Sequence, residues 1–198
     1  MNRICVVTAK ASTYYAIVSR LRRAGLPFAS VIPGARCEDC ALLITSSGEL
    51  VQYGERAIAL ENLDENPGVF KGQLLSKLDG GRDVLLIGID PGKRIGLAVF
   101  YGEENLEYST FSSVWWLSRR VGAFVHRVSA RRSLVRVGNG SPSMASKIVG
   151  QLKMEAVGAV IEMVDETGTS VRRAKMKGIQ GDQGAAAKIA FRRGEVLA

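Results

Sequence analysis

The chain has 198 residues, 46% apolar and 23% charged, with a formal net charge of +8. This excludes a disordered or collagen-like chain, and a chain of this length buries roughly 70% of its unfolded surface without a disulfide or metal staple. No apolar run approaches the roughly 20 residues that cross a bilayer, and the opening Met1–Val7 is too short for a signal segment, so the protein reads as cytoplasmic, with no membrane partner.

Ile4 to Thr8 reads as a short strand, with Ser12 placed to cap a following helix. Ala16, Ile17, Leu21 and Leu26 recur at helical spacing until Gly25 and Pro27 end it. Further strands are expected over Ala29–Ile32, Ala41–Thr45 and Ala57–Leu60, then a helix through Leu74, Leu75 and Leu78. Short strands alternating with helices predict a small parallel α/β unit. Three cysteines (Cys5, Cys37 and Cys40) cannot all pair within one chain, which argues against a secreted disulfide framework. Cys37-Glu38-Asp39-Cys40 lacks the remaining ligands of a zinc site and the helix start of a redox pair; it reads as a loop with two thiols. A redox or regulatory module centred on Cys37 and Cys40 is a subordinate hypothesis.

Asp79-Gly80-Gly81-Arg82-Asp83 forms a polar, glycine-rich joint. It divides a small α/β domain of unassigned role, 1–81, from a second domain, 82–198. Beyond it, Val84–Ile89, Ile95–Tyr101 and Leu106–Phe111 predict an antiparallel three-stranded meander. The first strand ends in Asp90, followed by Pro91 and Gly92. Asp is a favoured opening residue of such a turn, so this carboxylate becomes informative only if other acids converge on it.

A long helix is expected next, with Val114, Leu117, Val121, Phe124, Val125 and Val128 on one face. Trp115 and Trp116 could stack on bases, but a helix beside a sheet usually buries at least one Trp, so core is the favoured reading. His126, the only histidine, has no evident catalytic partner and reads as structural. A strand over Leu134–Val137, a helix from Ser143, a strand over Ala156–Val164 and a helix over Gln183–Arg193 complete the chain. Positive charge concentrates here. Residues 84–198 hold 17 Lys/Arg against 10 Asp/Glu, whereas residues 1–83 hold 10 against 9. A polyanion such as nucleic acid fits that imbalance, and so does plain solubility. No Walker loop or G-x-G-x-x-G occurs, so nothing supports a nucleotide cofactor.

A three-stranded meander followed by helix, strand, helix, strand and helix is the order of the ribonuclease H fold. Three passages carry a closer likeness: I-G-I-D-P-G-K-R-I-G-L-A-V at 87–99, V-D-E-T-G-T at 164–169 and G-D-Q-G-A-A-A-K-I-A at 181–190. Through them residues 84–198 resemble the RuvC/YqgF branch of the ribonuclease H-like superfamily. Residues 1–83 resemble no recognised family and keep their reading as a small N-terminal α/β domain; for the rest of this α/β chain the resemblance implies a ribonuclease H-like domain with a mixed five-stranded sheet. It also implies a Mg- or Mn-dependent nuclease with Asp90, Glu166 and Asp182 as catalytic residues and metal ligands. Two divalent ions held by such acids activate a water and neutralise the departing oxygen, and hard oxygen donors suit them.

Each acid has a competing reading: turn initiation for Asp90, a solvated loop acid for Glu166 and an N-cap for Asp182. Asp165 stands second to Glu166 at the middle position, and Glu162 shares the face of Glu166 along an extended strand. RuvC-type proteins carry a further Glu at the end of the fourth strand. Val137–Pro142 has no acid there, which resembles the YqgF pattern and moves weight from a junction resolvase toward a YqgF-like nuclease. Lys93, Arg94, Arg172, Arg173, Lys175, Lys177, Lys188 and Arg192 are candidate phosphate contacts that would hold a backbone without reading bases. The substrate classes implied are Holliday junctions and ribosomal RNA precursors, DNA against RNA and monomer against homodimer staying open. A catalytically inactive nucleic-acid-binding scaffold of the same fold is the alternative.

Overall fold

A computed structural model describes residues 3–35, 39–165 and 181–197. The chain divides into two compact units, Met1–Gly80 and Gly81–Ala198. Among the described residues no helix is long and apolar enough to cross a membrane.

The first unit contains β1 (Arg3–Val6), α1 (Ala11–Arg23), β2 (Phe28–Ser30), β3 (Cys40–Thr45), β4 (Ala57–Ala59) and α2 (Pro67–Asp79). All its strand pairs are parallel, in the order β2-β1-β3-β4. Strand alternation sends Ile4, Val6, Leu42 and Ile44 to one face, where Ile17 and Leu21 of α1 and Phe70 and Leu74 of α2 close a core. The caps differ from expectation at one helix. α1 starts at Ala11 behind Lys10 with no side-chain capping bond, so Ser12 lies inside the helix. α2 is capped by Asn66, whose side chain accepts from the Val69 amide, and Gly80 ends it in the left-handed region at φ 73°.

The expected pair of loop thiols is corrected. Cys40 opens β3 and is disulfide-bonded to Cys5 of β1, with the two Cα atoms 5.8 Å apart. Adjacency of β1 and β3 makes this pairing, which also removes the redox reading of Cys37 with Cys40; Cys37 lies outside the described residues. Where the parallel order reverses, beyond the ends of β1 and β3, Glu49 accepts from the hydroxyls of Thr8, Thr45 and Ser46 and from the Ala9 amide. Those donors, led by Ser46 and Thr8, hold its carboxyl down at about 2.

The second unit contains β5 (Val84–Asp90), β6 (Ile95–Tyr101), β7 (Glu104–Phe111), α3 (Val114–Arg127), β8 (Arg132–Gly138), α4 (Pro142–Glu155), β9 (Val160–Val164), α5 (Asp182–Phe191) and β10 (Glu195–Val196). Its described strands run β10-β9-β8-β5-β6-β7. β5, β6 and β7 pair antiparallel as a meander, and β5, β8 and β9 are parallel. The two-residue β10 adds an antiparallel edge to the five strands expected. Strands β5 and β6 carry near-continuous apolar runs because helices cover both faces. Leu86, Ala98 and Phe100 pack on Ala186, Ala187 and Ala190 of α5. Leu117, Val121 and Phe124 of α3 and Ile148 and Leu152 of α4 are buried as well. His126 is structural: its Nε2 lies 2.9 Å from the Glu155 carbonyl at the end of α4.

Candidate functional site

The site is built on the carboxyl edge of the parallel strands. Asp90 is the last residue of β5 and is directly opposite Gly96 of β6. In the parallel register Ile89 aligns with Val137 of β8, and Gly138 of β8 with Val164 of β9. Asp90, the end of β8 and the Val164–Asp165 step therefore lie along one edge. Alternation places Asp90 on the same face as Leu86 and Gly88, the face covered by α5.

Gly96 decides where α5 begins. A Cβ built on Gly96 would lie 2.6 Å from the Asp182 carbonyl carbon and 3.2 Å from the Asp182 Cβ. The helix start therefore rests directly on β6, one strand away from Asp90. Gly88 does the same further along, where an added Cβ would meet the backbone nitrogen of Ala190 at 2.6 Å. The strand order and these two glycines carry α5 obliquely from β6 over β5 to β8, where Arg136 donates to the Ala190 carbonyl at 2.6 Å. Neither glycine carries a chemical group, so residue chemistry alone does not mark them. Their signal is the G-I-D and I-G-L spacing either side of the turn.

Asp182 is the first residue of α5, and Gly181, at φ 70°, takes the N-cap position with no side-chain capping bond. The N-cap reading of Asp182 is thereby corrected. A carboxylate in a helix's first turn is favourably placed against the helix dipole.

The middle of the site is defined up to Asp165. Asn139, just past β8, donates its backbone N–H to the Val164 carbonyl at 3.0 Å and its side-chain amide to Asp165 Oδ1 at 3.3 Å. Arg192 donates to the Asp165 carbonyl at 3.2 Å. Asn139 is a polar residue of this edge that a search for acids passes over. Glu166 lies outside the described residues, as do Arg172, Arg173, Lys175 and Lys177. Glu162 takes another role. Only 7% exposed, it pairs with Arg136 Nε at 2.7 Å from the opposite register position.

Lys93 and Lys188 are exposed, whereas Arg94 donates to Thr110 Oγ1 at 3.2 Å across the end of β7. Among the described residues no group of three His, Cys, Asp or Glu side chains gathers in a form that holds a metal ion. What the described residues bring to one edge is three acidic residues, Asp90, Asp165 and Asp182, with the Asn139 amide and a fringe of cations.

The order β7-β6-β5-β8-β9, with β6 reversed and α5 laid across one face, is that of the ribonuclease H fold. No protein-family model matches the chain, and no curated protein matches it. Among solved structures the chain is similar to the Thermus thermophilus RuvC structure, with 17% identity and a TM-score of 0.42 over 54% of this chain and 90% of that one. It is also similar to Marinitoga piezophila Argonaute in complex with 5′-OH guide RNA and target DNA. There the identity is 9% and the TM-score 0.31, over 83% of this chain and 39% of the Argonaute chain.

Proposed function

We propose that the second unit is a metal-dependent nuclease of the RuvC/YqgF type that hydrolyses phosphodiester bonds in structured nucleic acid. The observation that carries this is the seating of the Asp182 backbone on Gly96, directly across from Asp90. A helix start seated on the strand next to Asp90 would bring a second carboxylate toward the first. Turn initiation or helix capping alone does not require that coincidence.

Carboxylate oxygens are hard donors that suit Mg or Mn. Asp90 and Asp182, joined by Glu166, would hold a pair of such ions, which supply an activated water and charge neutralisation at the leaving oxygen. Lys93 at the β5–β6 turn and Lys188 on α5 would hold phosphates without reading sequence. Arg94 and Arg192 keep the turn and the end of β9 in place through Thr110 and Asp165. The first unit would position substrate or recruit a partner.

The second reading is a nucleic-acid-binding scaffold of the same fold that does not cleave. A screen of Holliday junctions, ribosomal RNA precursors and single strands with Mg or Mn separates the two. Cleavage by the parent chain, abolished in Asp90→Asn with folding intact, supports the nuclease. Binding with a steep salt dependence and no cleaved product supports the scaffold.

A further inference from the structure

The expectation that α3 buries at least one of its tryptophans is overturned: Trp115 is 49% and Trp116 62% exposed. Their rings meet edge to face at 4.4 Å between centroids. The Arg119 guanidinium, one turn on, lies over Trp115 at 5.6 Å from the ring centroid, with a long contact of 3.9 Å to Glu155. Two exposed indoles cost free energy through their unburied apolar surface. Adjacent to each other and roofed by a cation, they form a ready π-surface.

Its position is as informative as its composition. Trp116 and Arg119 line an open surface recess together with Thr110, Phe111 and Ser113. Thr110 pairs with Gly96, which pairs with Asp90, so at about 4.8 Å per strand the recess begins roughly 10 Å from Asp90. β7 is an edge strand of the described sheet. Its end can therefore be rounded from the α5 face to the α3 face without crossing another strand. Arg94 bridges that corner through Thr110.

We propose that Trp115 and Trp116, with Arg119, are a stacking site for an unpaired nucleobase of the nucleic acid bound at the Asp90 edge. An aromatic face beside a guanidinium takes a base and its adjacent phosphate, and the positive excess of residues 84–198 draws the polyanion to it. The site selects substrates carrying a single-stranded, bulged or flipped nucleotide over continuous duplex. It rests on the reading of this unit as nucleic-acid-binding, and not on hydrolysis.

The chain contains only two tryptophans, so its indole fluorescence reports on this site alone. The full chain is titrated, without divalent metal, with dye-labelled oligonucleotides that are single-stranded, bulged or fully duplex. Dye anisotropy and tryptophan emission are read together. Saturable quenching by the first two, weaker quenching by the duplex and about tenfold weaker single-strand binding in Trp115→Ala and Trp116→Ala support the site. Phe at either position should retain most of the affinity. Binding by anisotropy with unchanged tryptophan emission and unchanged affinity in the Ala variants overturns the stacking site and leaves the nuclease reading standing. No binding of any oligonucleotide overturns both. Quenching in this titration, together with no cleavage of the same oligonucleotides once Mg or Mn is added to the parent chain, sinks hydrolysis alone.

Discussion

Gly96→Ala tests the seat of α5 directly. The added methyl would lie 2.6 Å from the Asp182 carbonyl carbon, against backbone that has no rotamer to yield. Restoring an ordinary contact moves the helix start out by about 1 Å, and overpacking of this kind costs about 1–3 kcal/mol. For a unit of this size that lowers Tm by roughly 4 °C per kcal/mol. The functional loss should exceed what the remaining folded fraction explains, because a displacement of about 1 Å at a reacting centre costs on the order of 100-fold in rate. Thermal denaturation, Mn binding and cleavage of the best substrate from the screen are measured on the same preparation at a temperature where the variant is folded. Gly150→Ala is the control, since its Cβ would meet nothing within 4 Å on an exposed part of α4. It should gain about 0.5–1 kcal/mol and keep parent activity. A Gly96→Ala chain with parent Tm, parent Mn affinity and parent cleavage would refute the close seating of α5 and its role in gathering the acids.

Glu162→Ala leaves the Arg136 guanidinium without its ion-pair partner beneath α5, which should cost about 3–5 kcal/mol by chemical denaturation; Arg136→Met with Glu162→Leu should recover most of it. Reducing Cys5–Cys40, or replacing both by Ser, opens a loop spanning a sequence separation of 35 and should lower the first unit's stability by roughly 3–4 kcal/mol, seen as a fall in denaturation midpoint. Glu49 titrates at about 2 when folded against 4.5 as its reference. Its contribution is thus fully present above about pH 4.5 and is lost as pH falls toward 2. Stability of the first unit should drop through that window, and Glu49→Gln should flatten the drop in acid denaturation curves.

Local chemistry was the most readable part of the chain. The β5–Pro91–Gly92–β6 hairpin follows from two apolar runs around a turn dipeptide, and the structure places both strands within a residue of expectation. The ends of β9 and α4 were less legible: the strand expected from Ala156 starts at Val160, because α4 continues to Glu155 before its last turn closes. Cys5–Cys40 was hidden because it depends on β1 lying beside β3, a consequence of sheet order rather than spacing. Gly96 was hidden for a similar reason, since its small size matters only once α5 lies on it. The tryptophans misled differently. Helical periodicity sends Leu117, Val121 and Phe124 inward and leaves Trp115 and Trp116 off that face, against the general tendency of Trp to be largely buried. The three-acid pattern came from family resemblance, and the fold supplies a physical reason for two of its members to share an edge.

Binding of Mn to the full chain, followed by titration calorimetry beside the Asp90→Asn and Asp182→Asn variants, tests the gathering of the acids most directly. A shared site predicts that either single substitution weakens or abolishes Mn binding while far-ultraviolet dichroism is unchanged. Mn binding of parent strength in both folded variants would contradict it.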